Sequence, residues 1–205
     1  MKPIVSVLIF VLLLTVSCDK TSTNPNNIEK LNLPLSAGTF WKYTQVFSIL
    51  PQSVLAESER IIIGPATLIN GKSVTKAKSK NKPANRDTII VDEYLSLSPD
   101  SYIEYSDSAD TIGVKILDFP LEPGKQWISK DDTFKVESLD NTVEVEFGKY
   151  ENCILITRKS GPSSYSTLSR YFWKDEIGLI KLETDFLFRS PTLTQTMQLY
   201  SHMAQ

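Results

Sequence analysis

Histidine occurs once in this chain, at position 202, cysteine only at 18 and 153, and glycine eight times in 205 residues. Each scarcity removes a class of chemistry. A Ser/His/Asp triad or a histidine-based metal site would have to recruit His202 from the chain end, where disorder concentrates, so His202 reads as an incidental surface residue. Neither a phosphate-binding glycine loop nor a dinucleotide fingerprint is present. The carboxylate pairs Asp131/Asp132 and Asp175/Glu176 are adjacent, which points them to opposite faces of a strand or places them in turns, not across a scissile bond. Asp100, Asp107 and Asp110 lack the alternating oxygen ligands and central glycine of a calcium loop. No catalytic residue, metal ligand or cofactor is assigned, and no enzyme class rises above background. Lys and Arg total 22 against 24 Asp and Glu, a formal charge of −2. Such a balance argues against a nucleic-acid partner. No stretch shows a long apolar stripe of period 3.6, so helices are not expected.

What is present begins at residues 1–18. Lys2 supplies a positive start, 4–16 is almost entirely apolar, and Thr15, Val16 and Ser17 lead to Cys18. The run is short of the roughly 20 residues of a membrane span and reads as a secretory signal whose cleavage leaves Cys18 first. This segment resembles a bacterial lipoprotein signal peptide with its lipobox, Thr15 standing where many lipoboxes carry Leu. The resemblance implies a diacylglyceryl thioether on Cys18, a cut after Ser17, and fatty acylation of the new amino group. The membrane, reached through acylated Cys18, is then a partner, and the expected location is the cell envelope, the outer membrane preferred over the inner. Residues 19–27 are polar, charged or proline-bearing and cannot repay their own ordering entropy. The expected plan is a signal peptide over 1–17, lipidated Cys18 with a flexible tether over 18–29, and one β-rich domain over 30–205. Cys153 lies in an apolar run and reads as a buried structural thiol.

Alternation of apolar and polar residues predicts strands over 39–48, 55–63, 88–95, 102–105, 112–119, 150–157, 166–173, 178–188 and 194–200. Asn70-Gly71 predicts a hairpin between 66–69 and 72–77. Asp140-Asn141 reads as a second two-residue loop, between strands at 133–139 and 142–147. The lysine-rich stretch 76–86 reads as a solvated hairpin extension rather than a polyanion site. The fold class expected is all-β and antiparallel, as a strongly curved sheet, an incomplete β-barrel or a sandwich.

One pattern occurs twice. Pro34-Leu35-Ser36-Ala37-Gly38-Thr39-Phe40-Trp41 and Pro120-Leu121-Glu122-Pro123-Gly124-Lys125-Gln126-Trp127 share Pro-Leu-x-x-Gly-x-x-Trp, a turn feeding a strand, and hint at two related strand groups. Together with Tyr43 and the segment from Tyr171-Phe172-Trp173 through Gly178-Leu179-Ile180-Lys181, the first copy resembles cell-envelope lipoproteins of Gram-negative bacteria. That resemblance implies a secreted β-rich lipoprotein and nothing catalytic. Three Trp, eight Tyr and nine Phe supply either a core or a binding face, and Trp41, Trp127 and Trp173 are the candidate binding surface. The expected role is a lipid-anchored domain that binds an apolar or envelope-derived ligand such as a lipid, glycolipid or peptide. The alternative is a structural or assembly subunit that docks on another envelope protein.

Overall fold

The structure is a computed structural model that describes residues 27–49, 52–83, 86–162, 166–187 and 193–205; the signal segment and Cys18 lie outside the described residues. Twelve strands follow one another: β1 (Phe40–Ile49), β2 (Gln52–Thr67), β3 (Ser73–Pro83), β4 (Ile89–Leu97), β5 (Ser101–Tyr105), β6 (Val114–Asp118), β7 (Gln126–Ser129), β8 (Asp132–Val145), β9 (Gly148–Ser160), β10 (Ser166–Lys174), β11 (Gly178–Leu187) and β12 (Leu193–Met203). They form one sheet in the order β6-β5-β4-β3-β2-β1-β12-β11-β10-β9-β8-β7. Every pairing is antiparallel, as expected for consecutive hairpins.

The sheet is two six-stranded meanders, β1–β6 and β7–β12, joined where β1 pairs with β12 from Phe40↔Met203 to Ile49↔Leu193. Strong curvature brings the outer edges, β6 and β7, close together without a ladder between them. Side chains bridge this seam instead. The backbone N–H of Lys115 donates to Ser129 Oγ (2.7 Å), Trp127 Nε1 donates to the Lys115 carbonyl (2.9 Å), and Lys125 Nζ donates to the carbonyls of Asp118 (2.7 Å) and Pro120 (2.9 Å). The fold is thus a nearly closed antiparallel barrel with an unsealed seam, which agrees with the incomplete barrel among the sequence expectations.

Inward positions carry the core. Phe134, Val136, Ile154, Ile156, Ile180 and Leu199 are fully buried, each removing apolar surface worth roughly 1.5–3 kcal/mol. Eight strands make an interior that side chains can just fill, and width grows with strand number. Twelve leave space over, and the chain N-terminal to β1 fills one end. Ile28 forms an antiparallel bridge with Leu121, Leu31 is buried, and the Asn32 N–H donates to Asp175 Oδ1 (2.6 Å) while Glu176 N–H donates to the Asn32 carbonyl (3.0 Å). Leu33 and Leu35 pack against the core behind it and share the lining of a small void with Trp41, Leu95, Tyr102 and Trp173.

The two copies of the Pro-Leu-x-x-Gly-x-x-Trp pattern adopt the same local structure. Thr39 N–H donates to the Ser36 carbonyl (3.1 Å) and Lys125 N–H to that of Glu122 (3.0 Å). Gly38 and Thr39 exchange bonds with Ile62 of β2, and Gly124 and Lys125 exchange the equivalent bonds with Val136 of β8. Gly38 and Gly124 have φ of 90° and 86°, a region a side chain would strain. The two turns therefore open equivalent strands, β1 and β7, of the two meanders.

Three local expectations need correction. The segment 55–63 and residues 66–67 are one strand, β2, which ends at Thr67 and whose register shifts between Ile62 and Gly64. Asp140-Asn141 is no hairpin loop: β8 runs through it, and three register shifts absorb the irregularity. Asn141 Nδ2 there donates to Ser138 Oγ and to the Cys153 carbonyl of β9 (3.2 Å), so its amide replaces missing ladder bonds; the turn falls at Glu146-Phe147. His202 is not on a loose tail either, because β12 continues to Met203 and places His202 opposite Trp41 with the rings stacked at 5.7 Å. Asn70-Gly71 forms its hairpin, with Gly71 at φ 83° and Asn70 Oδ1 accepting the Lys72 N–H (3.1 Å).

Trp127 tests the seam. It is buried, stacks on Phe134 at 5.3 Å and sends its indole N–H across to β6. Trp127→Ala is expected to cost about 3–5 kcal/mol in a denaturant melt, whereas Trp127→Phe keeps the stack and loses about 1 kcal/mol for the hydrogen bond. Equal costs for the two variants would contradict this reading.

Candidate functional site

Above the N-terminal plug the barrel is hollow. A cavity of about 240 Å³ is lined by Tyr43 and Gln45 of β1, Ser58 and Arg60 of β2, Ser79 and Asn81 of β3, Glu93 of β4, Glu104 of β5 and Ile116 of β6; β10, β11 and β12 complete the wall. These residues meet because alternation sends every second side chain inward and the register aligns them: Tyr43 lies opposite Ser58, Ser58 opposite Asn81, and Arg60 opposite Ser79. The wall formed by β10–β12 is largely apolar, with Trp173, Leu179, Leu182 and Met197, and Tyr171 adds a hydroxyl.

Charge is concentrated on the β2–β5 wall. Arg60 Nε lies 2.7 Å from Glu93 Oε2, and Arg60 Nη1 donates to Glu104 Oε1 at 3.1 Å. Tyr102 OH donates to the same Glu104 oxygen at 2.9 Å. Burial works against the charged guanidinium, but Glu104 and Glu93 outweigh it and hold Arg60 well above the ordinary value. Burial likewise pushes the phenols of Tyr43 and Tyr102 up, Arg60 opposing this in both, so each remains a neutral hydroxyl. Tyr43 OH donates to the Leu179 carbonyl at 3.3 Å. A second inward pair, Arg158 with Asp132 (Nε to Oδ2 2.8 Å), stands beside Tyr171, whose OH accepts from Arg158 Nη1 at 3.3 Å.

The side chains of Arg60, Glu93 and Glu104 keep 24, 24 and 31% of their surface accessible although they lie inside the barrel. That surface faces the cavity. Glu93 Oε1 and Glu104 Oε2 take part in none of these contacts. Trp173 is buried in the same wall, meets Tyr102 edge-on at 5.7 Å, and its indole N–H has no acceptor among the described residues. Toward the end away from the plug, Phe47, Val54, Ile89 and Val91 continue the same strand faces as Gln45, Ser58 and Glu93. Val54 and Ile89 are 50 and 54% exposed there, so the β1–β4 side of the mouth is apolar, while Gln195, Thr184 and Ser169 continue the opposite wall.

The three candidate tryptophans all lie inside, at 5, 8 and 4% exposure for Trp41, Trp127 and Trp173. They do not form one face. Trp41 belongs to the plugged end, donating to the Ile177 carbonyl at 2.6 Å, Trp127 belongs to the seam, and Trp173 alone borders the cavity. Cys153 is a buried free thiol, raised by burial. The lysine-rich stretch is strand β3, with Lys76 paired to Asp92 (2.6 Å) and Lys80 to Glu59 (3.6 Å). Sequence reading missed Arg60, Glu93 and Glu104. The available signal was a charged residue on the inward parity of three strands, beside Ile62, Leu95 and Tyr102, but its meaning depends on the register that brings them together.

The architecture places the chain among β-barrel-like domains with an open seam. Two solved structures share it. One, from Bacteroides fragilis, is named "putative exported protein with YmcC-like fold" and superposes with a TM-score of 0.56 at 11% identity, over 85% of this chain and 99% of the other. The second, a "putative lipoprotein" from Parabacteroides distasonis, gives 0.51 at 10% identity with the same coverage. At such identities the likeness is one of fold. No family model matches the sequence, and no curated protein does.

Arg60 is the side chain on which the floor depends. Arg60→Met preserves bulk but leaves two carboxylates facing each other, a change that costs about 3–5 kcal/mol for a fully buried pair. Cavity water screens part of this, so a loss of about 3 kcal/mol is expected by urea denaturation. A loss under about 1 kcal/mol would show that the carboxylates are not held by the guanidinium.

Proposed function

We propose that the protein is a lipid-anchored envelope domain that binds a small ligand in the barrel interior. The observation that carries the binding claim is the 240 Å³ cavity, walled by charged, hydroxyl, amide and aromatic groups. Its volume is below the roughly 300–1,000 Å³ of drug-sized ligand pockets, enough for one polar headgroup rather than a whole lipid. The apolar side of the mouth, formed by Val54, Ile89 and Val91, suits a ligand whose remainder is apolar, so the ligand class supported is an amphiphile inserted polar end first. A purely apolar ligand fits poorly, because it would strip water from Arg60 and its two carboxylates without replacing it.

The envelope location and the acylation of Cys18 rest on the signal segment, and the exported and lipoprotein names of the two fold relatives support them. The chain from Cys18 reaches Ile28 in ten steps, at most about 35 Å when extended. It meets the barrel at the plugged end, opposite the mouth. The second reading, docking on another envelope protein, is supported by Leu55 and Ile90, which are 65 and 58% exposed near the mouth on the outward parity.

Native mass spectrometry of the full chain, released from detergent and compared with its solvent extract, tests the binding reading. A small molecule retained in stoichiometric amount is expected, lost from a variant whose cavity is filled by Ser58→Phe. An empty wild-type chain that instead crosslinks to one envelope protein through Leu55 or Ile90 would favour docking.

A further inference from the structure

The interior charge is not balanced. Among the described residues, two guanidiniums, Arg60 and Arg158, and three carboxylates, Glu93, Glu104 and Asp132, face inward. Asp132 is satisfied by Arg158, so the surplus negative charge belongs to the Glu93–Arg60–Glu104 group. Its two unused oxygens, Glu93 Oε1 and Glu104 Oε2, belong to side chains that border the cavity. An uncompensated charge in a confined, poorly polarisable site is costly, and a cation placed against it gains more than it would in water. The remaining lining suits such a cation. Trp173, Tyr171 and Tyr43 present aromatic surface, on which an ammonium group is attracted by the ring quadrupole. The Trp173 indole N–H, buried in the same wall without an acceptor among the described residues, is a donor that a small shift of the ring would bring to an oxygen carried next to the cation.

Resting on the binding reading above, we infer that the cavity is a site for an organic ammonium group bearing a neighbouring oxygen acceptor. The cation sits on the cavity side of the Glu93–Arg60–Glu104 group, with its neighbouring oxygen toward Trp173. A zwitterionic lipid headgroup and a free amino alcohol share this chemistry. Anionic ligands are excluded, because Arg60 is already engaged on both sides by carboxylates.

The test titrates the full chain by calorimetry with choline, with its uncharged isostere carrying carbon in place of nitrogen, and with an analogue of the same skeleton ending in a carboxylate. Choline is expected to bind about tenfold or more tightly than the isostere, and the carboxylate not measurably. In the wild-type chain the Trp173 indole N–H resonance should shift on choline addition. Glu104→Gln and Glu93→Gln should each reduce the preference for choline over the isostere toward unity. The comparison among ligands on the wild-type chain does not depend on the variants folding. Phosphatidylcholine vesicles that displace choline would identify a lipid headgroup as the source, and displacement by free amino alcohols alone a soluble one; both support the inference. Equal or tighter binding of the isostere or the carboxylate overturns it while the binding reading stands. Absence of binding by all three, with an empty wild-type chain in native mass spectrometry, overturns both.

Discussion

The structure depends on the pairing of its first strand with its last. β1 and β12 run antiparallel along their whole lengths, from Phe40↔Met203 to Ile49↔Leu193. Each meander alone would be a curved sheet with two bare edges and an exposed apolar face. Joined through β1–β12, they wrap around a common interior, and only the β6–β7 edges remain to be reconciled. Those edges meet through the Trp127 indole, Ser129 hydroxyl and Lys125 ammonium rather than through a ladder. A seam held by side chains satisfies backbone groups without imposing the exact register that full closure requires.

Strand number then sets the interior. Twelve strands enclose more width than inward side chains fill, and the molecule uses the excess in two ways. At one end the segment Ile28–Leu35 enters as a plug, fixed by the bridge to Leu121 and by Asp175. In the middle the space is left hollow and lined with polar groups. A charged residue is tolerated there because Arg60 is paired with both Glu93 and Glu104 and each of these side chains keeps part of its surface open to the cavity. The apolar wall of β10–β12 and the charged wall of β2–β5 face each other across this space, so the two meanders contribute different chemistry to one site. The repeated turn marks where they diverge: Trp41 stands opposite Arg60, and Trp127, in the equivalent place, stands opposite Phe134.

Much of this architecture was legible in the sequence. Alternation located the strands, Asn70-Gly71 located a hairpin, and the paired Pro-Leu-x-x-Gly-x-x-Trp turns located the starts of both meanders. Asp140-Asn141 misled because turn-forming residues in a bulged strand look the same as in a loop; only the partner strand shows that Asn141 bonds to the Cys153 carbonyl. The tryptophans, read from sequence as one candidate binding surface, lie in three different places. The site itself was illegible, since Arg60, Glu93 and Glu104 are far apart in sequence and ordinary for half-exposed strands. Charge on a strand normally means a wet outer face, and only closure of the barrel turns those positions inward.

The central claim, that the barrel encloses a polar hollow with a carboxylate-rich floor, is tested most directly by a high-resolution crystal structure of the protein purified without added ligands. The account predicts density for ordered water or a retained molecule within hydrogen-bonding distance of Glu93 Oε1 and Glu104 Oε2, with Arg60 between the two carboxylates. An interior closed by side-chain packing, with Arg60 turned out to solvent, would contradict it.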